Sequence, residues 1–231
     1  MTRLIQLMIT VSVSSLFSAC SAADPSFACS FERGKWDPND WTLVKSPRWE
    51  PMGEWIQRDT HIENKTPKDA KPAELVSAWA GETYTSMVLK NKCSGDITVR
   101  CRLEFADQMA PLIVIAPELG RDKQGRREYR EHFEIVIYDK GVNVWHHYHK
   151  KGKPSWEKAA YCRFPLKPNV PYQLEAKITT TARGKELTVN IDGHEFGYLD
   201  DTLPDTFHVG ITGCEGVNRF YDFAIVRLKK D

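Results

Sequence analysis

Apolar and polar positions alternate with a period of two along most of the chain from about residue 95 onward. "DITVRCRLEF" places Ile97, Val99, Cys101, Leu103 and Phe105 on one face. Thr98, Arg100, Arg102 and Glu104 fall on the other, the pattern of a half-buried strand. "PLIVIA" (111–116) is a continuous apolar run and predicts a central strand covered on both sides. "HFEIVIYDKGVNVWHHYH" is two strand-like runs around Asp139-Lys140-Gly141, a hairpin with a glycine available for positive φ. "PYQLEAKITTTARGKELTVNIDGHEFGYL" predicts a second hairpin followed by an Asp192-Gly193 turn, and "FHVGITG" and "FYDFAIVRL" close the chain. No stretch between residues 25 and 231 has the spacing of a long amphipathic helix. The polar stretches 59–75 and 117–130 ("PELGRDKQGRREYR") read as loops, the usual carriers of function. There is no internal repeat and no interdomain linker, so the pattern predicts one all-β domain, an antiparallel sandwich or jelly roll.

The hairpin around Asp139 is where titratable groups gather. A three-residue loop would pair Tyr138 with Val142, which sets Glu134 opposite His146 and His132 opposite Tyr148. Cross-strand Cβ atoms then lie about 4.5–5.5 Å apart. His132, Glu134, His146 and Tyr148 become one compact patch, and Trp145 joins the apolar face. A two-residue Lys140-Gly141 loop instead brings His147 to Glu134 and His149 to His132. A register slip exchanges the faces, so both arrangements stay open; the first is preferred because of Trp145. In either case Glu134 and His132 meet imidazoles. Such a patch suits acid/base cleavage of a glycosidic bond or a uronate, with Glu134 orienting an imidazole and the phenol donating a proton. Two histidines and a carboxylate are also the ligand types of a catalytic zinc site. A polar sheet face that binds sugar, or only water, is the third reading. Arg100 and Arg102 project from the polar face of another strand and could flank the patch, where they would favour carboxylated sugars. Solvent or an ion pair is their ordinary use.

Composition narrows the partners. The 231 residues carry 32 Lys+Arg against 31 Asp+Glu, so no net field favours nucleic acid or an anionic membrane. Seven tryptophans and eight tyrosines are enough to build both a core and sugar-stacking platforms. Trp156 and Tyr161, in the stretch after the hairpin, are the candidates for such platforms. The N-terminus, "MTRLIQLMITVSVSSLFSAC", has Arg3, an apolar stretch from Leu4 to Phe17 and then small residues, as an export leader does. "LFSAC" resembles a lipoprotein cleavage box with Cys20 as the acylated residue, and "SAA" offers a competing cut after Ala23. The expected organisation is a leader over 1–23 and one domain over 24–231. The mature protein is expected to be periplasmic, an outer-membrane lipoprotein or extracellular, touching a membrane only through a lipid on Cys20. Cys29, Cys93, Cys101, Cys162 and Cys214 form no C-x-x-C pair, and their odd number leaves at least one free thiol. No G-x-S-x-G elbow, P-loop or dinucleotide fingerprint occurs.

"HFEIVI" (132–137), "VNIDG" (189–193), "HVGI" (208–211) and "YDFAIVRLKK" (221–230) follow one another in an order that resembles the concanavalin A-like lectin/glucanase superfamily. Within it, the order is most similar to the 3-keto-disaccharide hydrolase domain family and laminin-G-like jelly rolls. The resemblance covers roughly residues 27–231, and its motifs are signatures of fold rather than of one activity. It implies a sugar site on the concave sheet face, lined by His132, Glu134, His146 and Tyr148. It implies a partner that is an oligo- or polysaccharide, and no required cofactor. A structural calcium near the first and last strands would use Glu32 and Asp222. The glucanase signature E-x-D-x-x-E is not matched, since "EYREHFE" lacks the middle aspartate and puts Glu131 and Glu134 on opposite faces. Two functions follow: an exported jelly-roll enzyme cleaving a glycoside or keto-glycoside, of hydrolase or lyase type, and a non-catalytic sugar-binding or adhesion module.

Overall fold

The computed structural model describes residues 26–228. The leader expected over 1–23, with Cys20, lies outside the described residues. Sixteen strands follow in chain order. They are β1 (Phe27–Ser30), β2 (Trp41–Leu43), β3 (Trp55–Gln57), β4 (Ile62–Asn64), β5 (Thr85–Leu89), β6 (Cys93–Ser94), β7 (Ile97–Phe105) and β8 (Met109–Arg121). Then come β9 (Arg127–Tyr138), β10 (Gly141–Lys150), β11 (Lys153–Arg163), β12 (Tyr172–Thr181), β13 (Gly184–Ile191), β14 (His194–Leu199), β15 (Thr206–Gly213) and β16 (Asn218–Arg227). Two four-residue helices, α1 (Pro72–Leu75) and α2 (Ala80–Thr83), lie between β4 and β5. Among the described residues no helix is long and apolar enough to cross a membrane.

Two antiparallel sheets form the sandwich. The first runs β14-β13-β12-β7-β16-β4-β3, with β1 also on β16; the second runs β11-β10-β9-β8-β15-β5-β2, with β6 also on β15. Period-two alternation builds the core between them. Ile97, Val99, Cys101, Leu103 and Phe105 of β7 meet Ile113, Ile115, Phe133, Ile135 and Ile137 of β8 and β9 in one buried cluster. "PLIVIA" is buried on both faces, because Leu112, Val114 and Ala116 pack in smaller clusters on the outer side of the second sheet. All five cysteines of the domain are free thiols, with Cys101 buried in the core.

Two expectations are corrected. Residues 117–130 are not a loop but the end of the β8–β9 hairpin, with Leu119 opposite Tyr129 and Arg121 opposite Arg127. Asp122 makes the turn: its Oδ1 accepts from the backbone N–H of Gln124 and Arg126, and Gly125 takes φ +81°. The stretch 59–75 contains β4 and α1.

The second correction concerns register. The β9–β10 loop is the pair Asp139-Lys140, and Gly141 is already paired with Tyr138. Glu134 therefore faces Trp145, Phe133 faces His146 and His132 faces His147. Both registers read from the sequence kept Gly141 within the loop. Instead the turn is docked on its surroundings: the Asp139 N–H donates to the Gln108 carbonyl (2.9 Å), and Asp139 and Lys140 carbonyls accept from Leu166 and Phe164. Gly141 sits at φ +127°, where a Cβ would stand 2.1 Å from the Cys162 carbonyl oxygen, so only glycine fits.

Candidate functional site

The outer face of the second sheet is partly roofed by the segment between β2 and β5. Lys45 bridges to Glu128 as a parallel pair, and their side chains form a buried ion pair at 3.1 Å that Arg130 extends at 2.9 Å. This anchors the segment on the sheet and carries Arg48 and Trp49 over it. Trp49 packs against Gly81 at the start of α2, where any Cβ would come within 2.9 Å of the indole. Between this roof and the sheet lies a cleft of about 250 Å³. Its floor includes Glu134, Val136, Asn143 and His147; Trp145, Trp156, Trp49 and Arg48 form walls, and Tyr84 and Glu215 complete it. The Arg48 guanidinium lies over both Trp49 (5.0 Å) and Trp156 (4.6 Å).

Glu134 is the centre of the floor. It is 8 % exposed, yet its carboxylate has three donors around it. His132 Nε2 lies 3.2 Å from Oε1, the Tyr84 hydroxyl donates to Oε1 at 3.3 Å, and His147 Nε2 lies 3.0 Å from Oε2. Burial alone would raise the Glu134 pKa, but His147 and His132 overcome it and hold the carboxyl well below the usual carboxylate range. An ionised carboxylate only accepts, so both Nε2 atoms carry a proton toward it. Burial lowers His132 to about 4, which keeps it neutral. It is sandwiched between the Tyr129 ring (4.2 Å) and the His147 ring (4.6 Å). Tyr129 is in turn fixed by Ser86 at 2.7 Å, which bonds Thr212 at 2.5 Å. Burial and the Glu134 charge push the Tyr84 phenol well up, so it stays a donor.

His132, Glu134 and His147 are close enough to be tested as metal ligands. The two imidazoles are stacked, 12° from parallel with centroids 4.6 Å apart. A nitrogen lone pair lies in its ring plane, and zinc sits about 2.0–2.1 Å from a ligating nitrogen. An ion in the plane of one ring would stand far outside the plane of the other. The trio fits two hydrogen bonds to a carboxylate better than one metal.

The sequence-derived site residues divide. His132 and Glu134 meet as expected. His146 and Tyr148 are on the opposite face of β10 from Glu134: His146 stacks on Phe133 (4.2 Å) and its Nε2 pairs with Glu131 at 2.9 Å. Trp145, expected with the core, lines the cleft beside His147. Trp156 and Tyr161 belong to β11 rather than to a loop; both point to the cleft side, 48 % and 59 % exposed, with Trp156 stacked on His147 (6.3 Å). Arg100 and Arg102 are on the first sheet, far from the cleft, where they pair with Glu175 (2.8 Å) and Asp222 (3.5 Å). Asp222 thus has Arg102 as its partner, and Glu32 has Lys35.

Glu215 was not singled out in the sequence. The β15–β16 loop that carries it is clamped by Asn64, whose Nδ2 donates to the Thr83 and Gly216 carbonyls at 2.9 Å and whose Oδ1 accepts from Asn218 N–H at 2.8 Å. The Glu215 N–H donates to Thr83 Oγ1 at 2.8 Å, with the residue at φ +54°.

No protein-family model and no curated protein matches this chain. Solved structures do. A carbohydrate-binding module, CBM66 from Bacillus subtilis, is 13 % identical with a TM-score of 0.53 over 81 % of this chain and 95 % of its own. The κ-carrageenase of Pseudoalteromonas carrageenovora, solved with an oligotetrasaccharide of κ-carrageenan, is 11 % identical with a TM-score of 0.54 over 87 % and 93 %. The lectin UEA-II, solved with galactose, is 8 % identical with a TM-score of 0.53 over 90 % and 100 %. At these identities the likeness shows the fold, a concanavalin A-like jelly roll.

Proposed function

We propose that this protein binds an oligo- or polysaccharide in the cleft of the second sheet and cleaves a glycosidic bond there by acid/base chemistry. The observation that carries the reading is the Glu134–His147 pair at 3.0 Å on the floor of a tryptophan-walled cleft. The carboxylate fixes the imidazole with Nε2 protonated and stabilises the imidazolium that forms when Nδ1 takes a proton. His132 and Tyr84 hold the carboxylate in place. Flat indole faces suit the apolar faces of sugar rings, and Asn143 adds a buried side-chain oxygen with no hydrogen-bond partner among the described residues. The names of the similar structures, two sugar binders and a carrageenase, agree with this substrate class. A keto-glycoside is the finer form suggested by the motif resemblance, and the leader over 1–23 would send the protein out of the cytoplasm, with Cys20 as a lipid anchor.

The test is incubation of the purified protein with pectin, alginate, κ-carrageenan, laminarin, xyloglucan and arabinogalactan. Released reducing ends and absorbance from unsaturated uronates report cleavage, and a parallel binding titration reports affinity. Product from at least one glycan, lost in His147→Ala, is expected. The second reading, a binding module, draws on the exposure of Trp156 and Tyr161. Saturable binding without product from any glycan would establish it and remove the first.

A further inference from the structure

A carboxyl group in the cleft is left over once the Glu134 cluster is accounted for. Glu215 lines the same cleft as Glu134 and His147, yet its side chain takes part in no hydrogen bond or ion pair among the described residues. Its loop is anchored at several points. Asn64 and Asn218 tie the loop to β4 and to the neck of the hairpin, Thr83 takes the Glu215 N–H, and the residue is kept in the left-handed region. Gly216 follows at φ +144°, where a Cβ would come within 2.8 Å of the Met109 carbonyl oxygen. A strained, tightly clamped backbone that ends in an unpaired acid is costly as architecture and useful as chemistry.

The groups that face it explain its ionisation. Burial raises the Glu215 pKa, the Glu134 charge raises it further, and Arg48 opposes both. Cys214, beside it, stays a neutral thiol, and Tyr84 stays a neutral phenol. The cleft therefore holds two carboxyl groups pushed in opposite directions, Glu134 down and Glu215 up. Environments that separate two carboxyls in this way assign one to the ionised role and the other to the acid role.

Building on the reading above, we propose that Glu215 is the proton donor of the cleft. Its carboxylic acid gives a proton to the glycosidic oxygen as the bond from that oxygen to the anomeric carbon breaks, the electron pair staying on oxygen. Water forms the new bond to the anomeric carbon and gives its proton to His147 Nδ1. One water is consumed per bond, and the carboxylate and imidazolium return to their starting forms by exchange with solvent.

The experiment compares wild type, Glu215→Gln and Arg48→Ala on whichever polysaccharide of the panel is cleaved. Glu215→Gln, close to isosteric, should keep the wild-type melting temperature and oligosaccharide affinity while kcat falls about 10²–10⁴-fold. Wild-type rates should decline at high pH as Glu215 ionises. Removing the Arg48 cation should move that limb to higher pH, because the cation favours the carboxylate. Undiminished kcat in Glu215→Gln, or an alkaline limb that stays in place in Arg48→Ala, overturns the assignment and leaves the cleavage reading intact. Absence of product from wild type on every glycan overturns both. Carboxyl ¹³C titration of wild type against Glu215→Gln is independent of substrate. A Glu215 resonance that titrates in the ordinary glutamate range would also sink the assignment.

Discussion

Glu104 and Glu134 lie on the outer faces of the two sheets, 6 % and 8 % exposed, and each is a carboxylate that had to be given partners before it could be buried. Their partners differ in kind. Glu104 takes the Arg219 guanidinium and, at 2.6 Å, the Tyr221 hydroxyl; Arg219 leads on to Glu63 and from there to Arg58. Arginine is charged at every accessible pH, so the cation bonded to Glu104 has one protonation state to offer, and the one imidazole nearby, His61, stands off on Glu63 at 3.6 Å. Glu134 instead takes two imidazoles and a phenol, none of them a permanent cation. Its neighbours are side chains of the kind that transfer protons in catalysis, and a cleft opens above it rather than a lattice of ion pairs. Burial of a carboxylate is thus no sign of function by itself. Imidazoles bonded directly to the carboxylate, under an open cleft, are the distinguishing feature.

The sharpest way to break this contrast is to neutralise each carboxylate. Glu134→Gln should lower kcat on the cleaved glycan by about 10³-fold or more, because the amide cannot hold His147 in its tautomer or stabilise the imidazolium. Glu134→Gln with near wild-type kcat would make the cluster architectural, like its counterpart. Glu104→Ala should do the converse. It leaves the Tyr221 hydroxyl without its acceptor and Arg219 with only Glu63 and Asn169, for a loss of about 1–3 kcal/mol in a denaturant melt, with kcat of the folded protein unchanged.

The pH dependence of stability discriminates next. His132 in the fold titrates near 4 against an ordinary 6.5, so below 6.5 the unfolded chain takes up a proton that the folded chain refuses. Its contribution is complete above pH 6.5 and is lost as pH falls toward 4, at most about 3 kcal/mol at 1.36 kcal/mol per unit. Glu134 adds a loss of the same sign at lower pH, beginning below the usual glutamate range and continuing down through its depressed pKa. Urea melts between pH 7 and 4 should show this slope, and His132→Gln should flatten its upper part. On the Glu104 side His61, beside Glu63, is also lowered by burial and adds a slope of the same sign, so the part removed by His132→Gln is the part that belongs to the cleft. The smallest effects are at the periphery. Trp156→Ala should weaken oligosaccharide binding by about 1 kcal/mol, as for one well-placed aromatic contact, with little change in melting. Arg100→Ala, which removes an exposed pair on the other sheet, should change stability by less than about 1 kcal/mol and leave sugar affinity alone.

What the sequence made legible follows from the same physics. Strands that alternate, such as β7, or that are apolar throughout, such as β8 at 111–116, announced themselves because one or both faces are buried. The far end of the β8–β9 hairpin did not, since it extends past the core and its polar residues on both faces imitate a loop. His132 and Glu134 were recognisable as a site from two residues on one face of one strand. Their partner was not, because register depended on the docking of Asp139-Lys140 against Gln108 and Leu166, contacts made across the fold. Glu215 and Arg48 arrive on connections fixed by residues as distant as Asn64 and Glu128, and no local pattern marks them.

Gly141 and the two-residue turn before it decide more than a pairing. Each glutamate of "EHFE" has its own histidine in "HH": Glu131 takes His146 and Glu134 takes His147, on opposite faces of one ribbon. The number of residues between the strands acts as a parity bit for that ribbon. One inserted residue that kept β9 in place would rotate β10 by half a turn, turning His146 toward the cleft and His147 toward the core. A change in the length of that turn, far along the chain from Glu215, would then rewrite the floor of the cleft without altering a single side chain in it.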